Sequence, residues 1–149
     1  MLSAEMIDGR KVFIERILLL RMIRTKSVFS SIQKSDGLRI LATRYRGRGL
    51  KKSRYDVWMA NLGPSEELLR AFQGGRINWK EFVRRYKEEM ASSKEVDSRN
   101  ATIRNHGQKF TLRLLQKLSR TGSITILCHC AENEQHCHRH ILKQLIENV

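Results

Sequence analysis

The arrangement of apolar and polar positions predicts strands and helices in alternation, most clearly in the last part of the chain. The apolar run Ile124–Leu127 predicts a buried strand, and a polar loop follows it. Apolar residues then recur at helical spacing, at Ile141, Leu142, Leu145, Ile146 and Val149. This part of the chain therefore predicts a strand, a loop and a helix in succession.

Two earlier strands are predicted, one within Arg21–Phe29 and one at Leu38–Thr43, with an Asp36-Gly37 turn between them. A basic loop follows the second strand, and a short helix is predicted over Asp56–Leu62. Strands that alternate with helices are typical of an α/β fold. We expect a single domain with a small, mostly parallel sheet and helices packed on its faces.

Three longer helices are predicted from start signals and apolar spacing. Ser65 and Asn78 are favourable N-cap residues for the first two helices, and Gly74-Gly75 ends the first. The second helix carries an apolar stripe, which we assign to packing, at Trp79, Phe82, Val83, Tyr86 and Met90. The third follows a polar loop at residues 91–100 and has an apolar face at Ile103, Gly107, Phe110, Leu114, Leu115 and Leu118.

The length of 149 residues indicates one domain. We divide the chain into an N-terminal extension, residues 1–21, and an α/β domain, residues 22–149. The extension is predicted to be helical, and it could instead pack on a neighbouring subunit, so the oligomeric state stays open. Its longest apolar run, Ile17–Leu20, is far too short to cross a bilayer. We therefore expect a cytoplasmic protein without a membrane partner.

The formal net charge of +14 favours anionic partners, either nucleic acid or phosphorylated small molecules. The loop Arg44–Tyr55 is strongly basic and contains Arg46 and Arg48. The aromatic residues in or beside it are Tyr45, Tyr55 and Trp58. Basic groups interleaved with aromatic rings suit phosphates and stacked bases. The alternative is a solvated basic loop whose tyrosines cover the sheet edge.

All three cysteines and four of the five histidines lie in the stretch Cys128–His140. The stretch follows the last predicted strand, and ligands bind outside the carboxyl ends of parallel strands. One hypothesis is an anion site, because Arg139 lies at a helix start, where free N–H groups attract negative charge, and Arg44 ends the second strand. Alternatively, Arg139 pairs with Glu132 or Glu134 and only holds the loop.

Metal binding and thiol chemistry are two further hypotheses for this stretch. A tetrahedral zinc site would use Cys128, Cys130, Cys137 and His138, although the usual CxxC pairs are absent. In the thiol hypothesis, Cys137 lies at a helix start beside His138 and Arg139, so we expect its pKa to be lowered. Cys130 would then be a resolving partner. A packed turn of buried cysteines with a capping histidine remains the simplest alternative.

Three blocks of the sequence resemble the domain of unknown function 488 family, in its YeaO-like branch. They are Leu38–Arg44 with Arg48-Gly49, Leu62–Leu68 with Trp79, Phe82 and Tyr86, and Cys130–Glu132 with Cys137–Arg139. The resemblance covers roughly residues 22–149 and implies an α/β fold without a settled activity, with some members discussed near DNA metabolism. Members commonly have an acid where this chain has Thr43, and Trp-Pro where it has Arg46-Gly47.

Together these features predict binding of a phosphate-bearing ligand, a nucleotide or nucleic acid, at a Cys/His/Arg site on the carboxyl edge of the sheet. The predicted ligand-binding residues are Arg44, Arg46, Arg48 and Arg139. If the protein is an enzyme, Cys130 or Cys137 is the nucleophile and His138 the acid or base. The alternative is a non-enzymatic nucleic-acid-binding module with a structural zinc, so both catalysis and the zinc cofactor stay open.

Overall fold

The computed structural model of the protein describes residues 10–11, 22–92 and 107–149. In these ranges a four-stranded, all-parallel sheet carries four α-helices, which confirms the predicted α/β fold. The N-terminal extension lies outside the described residues except for Arg10 and Lys11, which are helical. None of the helices described is long and apolar enough to cross a membrane.

The strands and helices alternate along the described part of the chain. The strands are β1 (Ile23–Ser27), β2 (Leu38–Leu41), β3 (Val57–Trp58) and β4 (Ile124–Cys128). The helices are α1 (Glu66–Gln73), α2 (Trp79–Ala91), α3 (Lys109–Ser119) and α4 (His138–Glu147). Short 3-10 turns lie at Lys34–Asp36, Lys52–Arg54 and Ala60–Leu62.

The last strand lies in the interior of the sheet, since the strand order is β1-β4-β2-β3. Ile124 of β4 aligns with Ile23 on one side and with Leu38 on the other. All five residues of β4 are buried, as expected for an inner strand of a parallel sheet. Because the strands are parallel, the carboxyl ends of β1, β2 and β4 meet at one edge.

Two hydrophobic clusters lie on opposite faces of this sheet. The larger contains Ile40, Ile124 and Ile126 together with the buried side chains of the four helices. Side chains alternate along a strand, so Leu41 and Leu127 point the other way and form the smaller cluster with Val28. Leu50 and Tyr55 pack on this second cluster, so part of the basic loop covers the face of the sheet away from the helices.

The predicted starts of the first two helices are confirmed. Ser65 Oγ accepts a hydrogen bond from the Leu68 amide at 3.2 Å, and Asn78 Oδ1 accepts one from the Glu81 amide at 2.9 Å. Each cap satisfies an amide that has no partner inside the helix. The aromatic stripe of α2 also packs as predicted, because Phe82 belongs to the main core.

The predicted helix over Asp56–Leu62 is wrong. Val57 and Trp58 form β3, which pairs with the end of β2, and only the last three residues of the range form a 3-10 turn. The cause is a contact between Asp56 and Arg39, which are 17 positions apart in the sequence. The Asp56 carboxylate accepts a hydrogen bond from the Arg39 amide at 2.8 Å and pairs with its guanidinium at 2.8 Å, which holds this segment extended along β2.

Helix α3 buries only part of the face predicted for it, since Leu115 is buried as expected but most of the other predicted side chains are not. It buries Leu112 and Leu115, whereas Phe110, Leu114 and Leu118 are 51%, 57% and 39% exposed. Gly107 lies in the preceding turn with φ +58°, and the next amide, that of Gln108, donates to the Met90 carbonyl at 2.8 Å. This tie to the end of α2 sets the rotation of α3. Ile103, also assigned to that face, lies outside the described residues.

We predict that Tyr86→Phe lowers the free energy of unfolding by about 1–3 kcal/mol. Tyr86 is fully buried, and its hydroxyl donates to the Leu62 carbonyl at 2.6 Å, which ties α2 to the turn before α1. Without that hydroxyl, the buried carbonyl loses its partner. Urea denaturation measures the change. The matched control is Tyr55→Phe, because the Tyr55 hydroxyl makes no hydrogen bond within the described residues, and an equal decrease in both variants would contradict the prediction.

Candidate functional site

The three cysteines lie together at the carboxyl edge of the sheet. Cys128 ends β4, Cys130 follows two residues later, and Cys137 is the N-cap residue of α4. Cys128 and Cys137 are buried, Cys130 is partly exposed, and none of the three forms a disulfide. The sulfurs of Cys128 and Cys130 are 3.7 Å apart. The cluster therefore has one partly exposed sulfur, that of Cys130, and two buried ones.

The negative charge of this cluster belongs on Cys130. The Cys128 and Cys137 thiols donate hydrogen bonds to its sulfur, and the positive charge of Arg139 adds to them, so the pKa of Cys130 is lowered. The hydrogen bond to Cys130 raises the pKa of Cys128 to about 11. A lowered pKa favours the thiolate, which is the nucleophilic form of cysteine, so Cys130 is the candidate nucleophile of the cluster.

Cys137 does not have the lowered pKa expected from its place at a helix start. It is only 2% exposed, and the hydrogen bonds that its thiol makes to Cys128 and Cys130, together with burial, raise its pKa. The helix start and the neighbouring arginine are outweighed because Cys137 is a hydrogen-bond donor to another sulfur. Its role is to hold the charge on Cys130.

Arg139 is buried and holds the loop between β4 and α4. Its side chain is 1% exposed, and its Nη2 donates to the Ala131 carbonyl at 3.0 Å and to the Glu132 carbonyl at 2.9 Å. Nη1 reaches the Cys130 carbonyl at 3.4 Å, while Nε has no hydrogen-bond partner within the described residues. The guanidinium therefore fixes the backbone around Cys130, and it is not free to bind a ligand directly.

The acids of this loop do not pair with Arg139. Glu132 Oε2 accepts hydrogen bonds from the Ser27 amide and the Ser30 hydroxyl, both at 2.6 Å, and Glu134 Oε1 accepts one from the His136 amide at 2.8 Å. Burial raises the pKa of Glu132, but these bonds and the nearby positive charges outweigh it, so the pKa is lowered. Arg139 therefore holds the loop, as the alternative interpretation expected. It does so through backbone carbonyls and not through the carboxylates of Glu132 or Glu134.

Two further histidines, one in the loop and one in the first turn of α4, also have structural partners. The His136 ring stacks on Trp79 of α2, with ring centroids 4.9 Å apart. His140 contacts Thr25 Oγ1 through Nδ1 at 3.3 Å and the Glu134 carbonyl through Nε2 at 3.0 Å. Sequence reasoning did not find these contacts or that of Glu132, because each joins positions far apart in the chain and none belongs to a motif.

His138 is oriented by a backbone carbonyl. Its Nε2 is within hydrogen-bond distance of the Ala42 carbonyl, and since a carbonyl only accepts, Nε2 carries the hydrogen and Nδ1 is an acceptor. Its ring lies edge-on to the Tyr86 ring, with the two ring centroids 5.7 Å apart. Burial lowers its pKa, so the ring is neutral at physiological pH. His138 is thus placed to accept a proton or ligate a metal through Nδ1, but not to donate a proton from Nε2.

A metal could be held by part of the cluster. The ligand atoms of Cys128, Cys137 and His138 lie within 4.8 Å of one another. Two sulfurs and one ring nitrogen are a donor set that suits zinc, and the Cys130 sulfur, close to that of Cys128, could supply the fourth ligand. The geometry thus brings together three residues of the predicted zinc set, and the fourth, Cys130, is in contact with one of them.

Arg44 is bound to the backbone just before α1. Its Nε donates to the Pro64 carbonyl and its Nη2 to the Gly63 carbonyl, each at 2.9 Å. It lines a cavity of about 490 Å³ that also includes Ser65 and Glu89, and no cysteine lines that cavity. The cavity that Arg44 lines therefore does not include Arg139.

Arg46 and Arg48 belong to the part of the basic loop that reaches the residue before Cys130. The Tyr45 carbonyl lies 3.3 Å from His129 Nε2. Gly47 has φ +86°, and a Cβ there would lie 2.9 Å from the His129 ring, so the backbone approaches closely only because the residue is glycine. Arg46 is partly exposed and Arg48 fully, and neither makes a hydrogen bond within the described residues.

Comparisons with known proteins give one family. A family profile described as "Active DUF488-N3 subclade" matches residues 23–149. The chain is 35% identical to the Escherichia coli (strain K12) protein named "Uncharacterized protein YeaO" over 101 residues, which are 66% of this chain and 85% of that protein. It is 32% identical to "Uncharacterized protein Rv3073c" of Mycobacterium tuberculosis (strain H37Rv) over 48% of this chain and 62% of that protein. No solved structure matches the chain.

We predict that iodoacetamide labels Cys130 at a rate that changes little between about pH 6 and pH 8. Its lowered pKa keeps the thiolate present throughout, whereas an ordinary thiol loses about tenfold in rate per pH unit below its pKa. Peptide mass spectrometry resolves the three cysteines, and Cys128 and Cys137 should label slowly. The Cys130→Ser variant controls for unmasking of the buried pair. A tenfold rise per pH unit at Cys130 would refute the assignment.

Proposed function

The chain belongs to the DUF488 family, as its sequence blocks indicated, and we propose that it binds a phosphate-bearing ligand, a nucleotide or nucleic acid, at the carboxyl edge of the sheet and presents Cys130 to it. The placement of Cys130 carries this proposal. It is the one partly exposed sulfur of the cluster, it follows the inner strand β4, and a buried guanidinium holds its backbone. Structural packing alone does not call for an exposed sulfur in that position.

The phosphate preference rests on the basic loop beside the thiol. Arg139 is buried, and both Arg139 and Arg44 donate hydrogen bonds to backbone carbonyls, so the exposed arginines of the loop are the better candidates for direct contact with phosphate. Arg46 and Arg48 are better placed, because they carry charge without partners in the described structure and their loop contacts His129. Lys51 and Lys52 are exposed in the same loop and extend the charge.

In this proposal the residues of the cluster have separate roles. Cys130 is the group that would react, since a thiolate is the nucleophilic form of cysteine. Cys128 and Cys137 stabilise its charge, and His138 Nδ1 is the neighbouring acceptor. Three unpaired thiols in contact fit a reducing compartment, so we assign the protein to the cytoplasm.

A second candidate function is a non-enzymatic nucleic-acid-binding module with structural zinc. The observation that favours it is the convergence of the ligand atoms of Cys128, Cys137 and His138 within 4.8 Å. Zinc would turn both buried thiols into ligands, and it would tie β4 to the start of α4. The Cys130 sulfur would then complete the coordination instead of reacting.

We predict that a single-stranded oligonucleotide protects Cys130 from iodoacetamide and binds with a steep salt dependence. Replacing Arg46, Arg48, Lys51 and Lys52 with Ala should reduce the slope of log affinity against log salt by about 0.7 for each phosphate that the variant no longer neutralises. Fluorescence anisotropy measures the slope, and peptide mass spectrometry measures the protection.

The matched control for that experiment removes four exposed basic residues from α3 and its end. They are Lys109, Arg113, Lys117 and Arg120. Both variants lose the same net charge, so a difference between them locates the binding surface. Equal slopes in the two variants, or Cys130 labelling unchanged by saturating oligonucleotide and by ATP, would overturn the proposed function.

The zinc alternative has its own test. If zinc is structural, protein purified without chelators contains about one zinc per chain, and a chelator lowers its melting temperature because binding and folding are coupled. Cys137→Ser should lose the metal because it breaks the convergent set of Cys128, Cys137 and His138, while Cys130→Ser retains part of it because that set stays intact. Elemental analysis measures the content. Metal-free protein with an unchanged melting temperature in chelator would exclude structural zinc.

A further inference from the structure

An exposed phenylalanine follows β1 on a turn that is held from several sides. Phe29 is 64% exposed. Arg54 clamps the residues on either side of it, since its Nε donates to the Val28 carbonyl and its Nη2 to the Ser30 carbonyl, each at 3.0 Å. The Ser30 amide also donates to the Ser27 carbonyl at 3.1 Å. The ring is thus presented to solvent by a fixed turn.

The same turn is connected to the loop that carries Cys130. The Ser30 hydroxyl donates to the Glu132 carboxylate at 2.6 Å, and the Phe29 amide lies 3.3 Å from Ser27 Oγ. The Phe29 ring lies 5.9 Å from the ring of His129, measured between centroids, at an angle of 44°. Two rings from different loops therefore lie side by side, and one of them belongs to the residue that immediately precedes Cys130.

A cavity of about 350 Å³ opens beside these two rings. Its remaining wall is the backbone and side chains of the basic loop, Gly47–Lys51, together with Arg54. The backbone of Gly47 lies against the His129 ring, and because glycine has no side chain, nothing from this position fills the cavity. The volume is in the range of small-ligand pockets and accommodates one planar ring system.

The charge around this cavity has one sign. Its lining contains Arg48, Lys51 and Arg54 and no acidic residue. Arg54 is occupied by the turn, but Arg48 and Lys51 are exposed and make no hydrogen bond within the described residues. Two aromatic faces with free cations at the rim match a planar ring that carries phosphate.

We propose that this cavity binds a nucleobase of single-stranded nucleic acid, with the base against Phe29 and His129 and the adjoining phosphates on Arg48 and Lys51. This rests on the proposed function and names its ligand class. A duplex keeps its bases stacked and cannot offer one to the cavity. A strand matches better than a free nucleotide, because the exposed charges continue from the rim to Lys52 and span more than one phosphate. His129 precedes Cys130, so the bound strand lies next to the thiol.

The test compares a fluorescent oligothymidylate with an abasic strand of equal length and charge, by anisotropy at fixed salt. The wild-type protein should bind the thymidylate about tenfold more tightly, the size expected for one stacked base. Phe29→Ala should abolish that preference while keeping the salt slope, and Phe29→Trp should restore it. Phe110→Ala is the matched control, because Phe110 is a similarly exposed phenylalanine on α3.

The outcomes separate this inference from the proposed function. Equal affinity of the wild-type protein for the two strands would overturn the nucleobase cavity even if a Phe29 variant fails to fold, and so would equal or tighter binding of a duplex. Salt-dependent binding and Cys130 protection would survive in that case, leaving the proposed function standing. Loss of the Phe29 preference with Cys130 labelling unaffected by the strand would support the cavity and reject the thiol site.

Discussion

The site depends on a buried guanidinium beside a thiolate. Burying an arginine without negative charge nearby is costly, and Arg139 has only backbone carbonyls as hydrogen-bond partners within the described residues. Cys130 and Glu132 supply the compensating charge, since Arg139 lowers the pKa of both. Each group stabilises the other: Arg139 adds to the two thiol donors that favour the ionised Cys130, and the charges of Cys130 and Glu132 offset part of the cost of burying the guanidinium.

The remaining contacts at this edge hold the loop that carries Cys130 in a fixed position beside Arg139. Glu132 is tied to the end of β1, and His136 rests on Trp79. His138 reaches the residue after β2. The loop of the thiol is thus attached to three elements that lie far apart in the sequence, and the basic loop joins it through His129. An edge built this way is preorganised, which is what a reactive or binding group requires.

Much of the fold could be predicted from the sequence, because strands β1, β2 and β4 and the capped helices are specified by local apolar spacing and N-cap residues. The cluster was also predictable, since Cys128, Cys130, Cys137 and His138 lie in one short stretch around a strand end. The failures involved long-range partners. Arg39 binds Asp56, and the segment that was predicted to be a helix therefore contains the strand β3. The sequence predicted a lowered pKa for Cys137, whereas in the structure the pKa of Cys130 is lowered, because the direction of the hydrogen bonds among the three sulfurs depends on how their side chains pack.

The inner position of β4 also governs how the protein folds. Its partners Ile23 and Leu38 are separated from Ile124 by 101 and 86 positions, the differences in residue number, so the sheet consists largely of distant pairings. High contact order slows folding, since long loops must close before the strands gain their hydrogen bonds. During synthesis, β1 and β2 cannot be joined in the sheet until β4, the strand that lies between them, has been made. The basic loop is made first and the thiol loop last, so the two halves of the site meet only when the sheet closes.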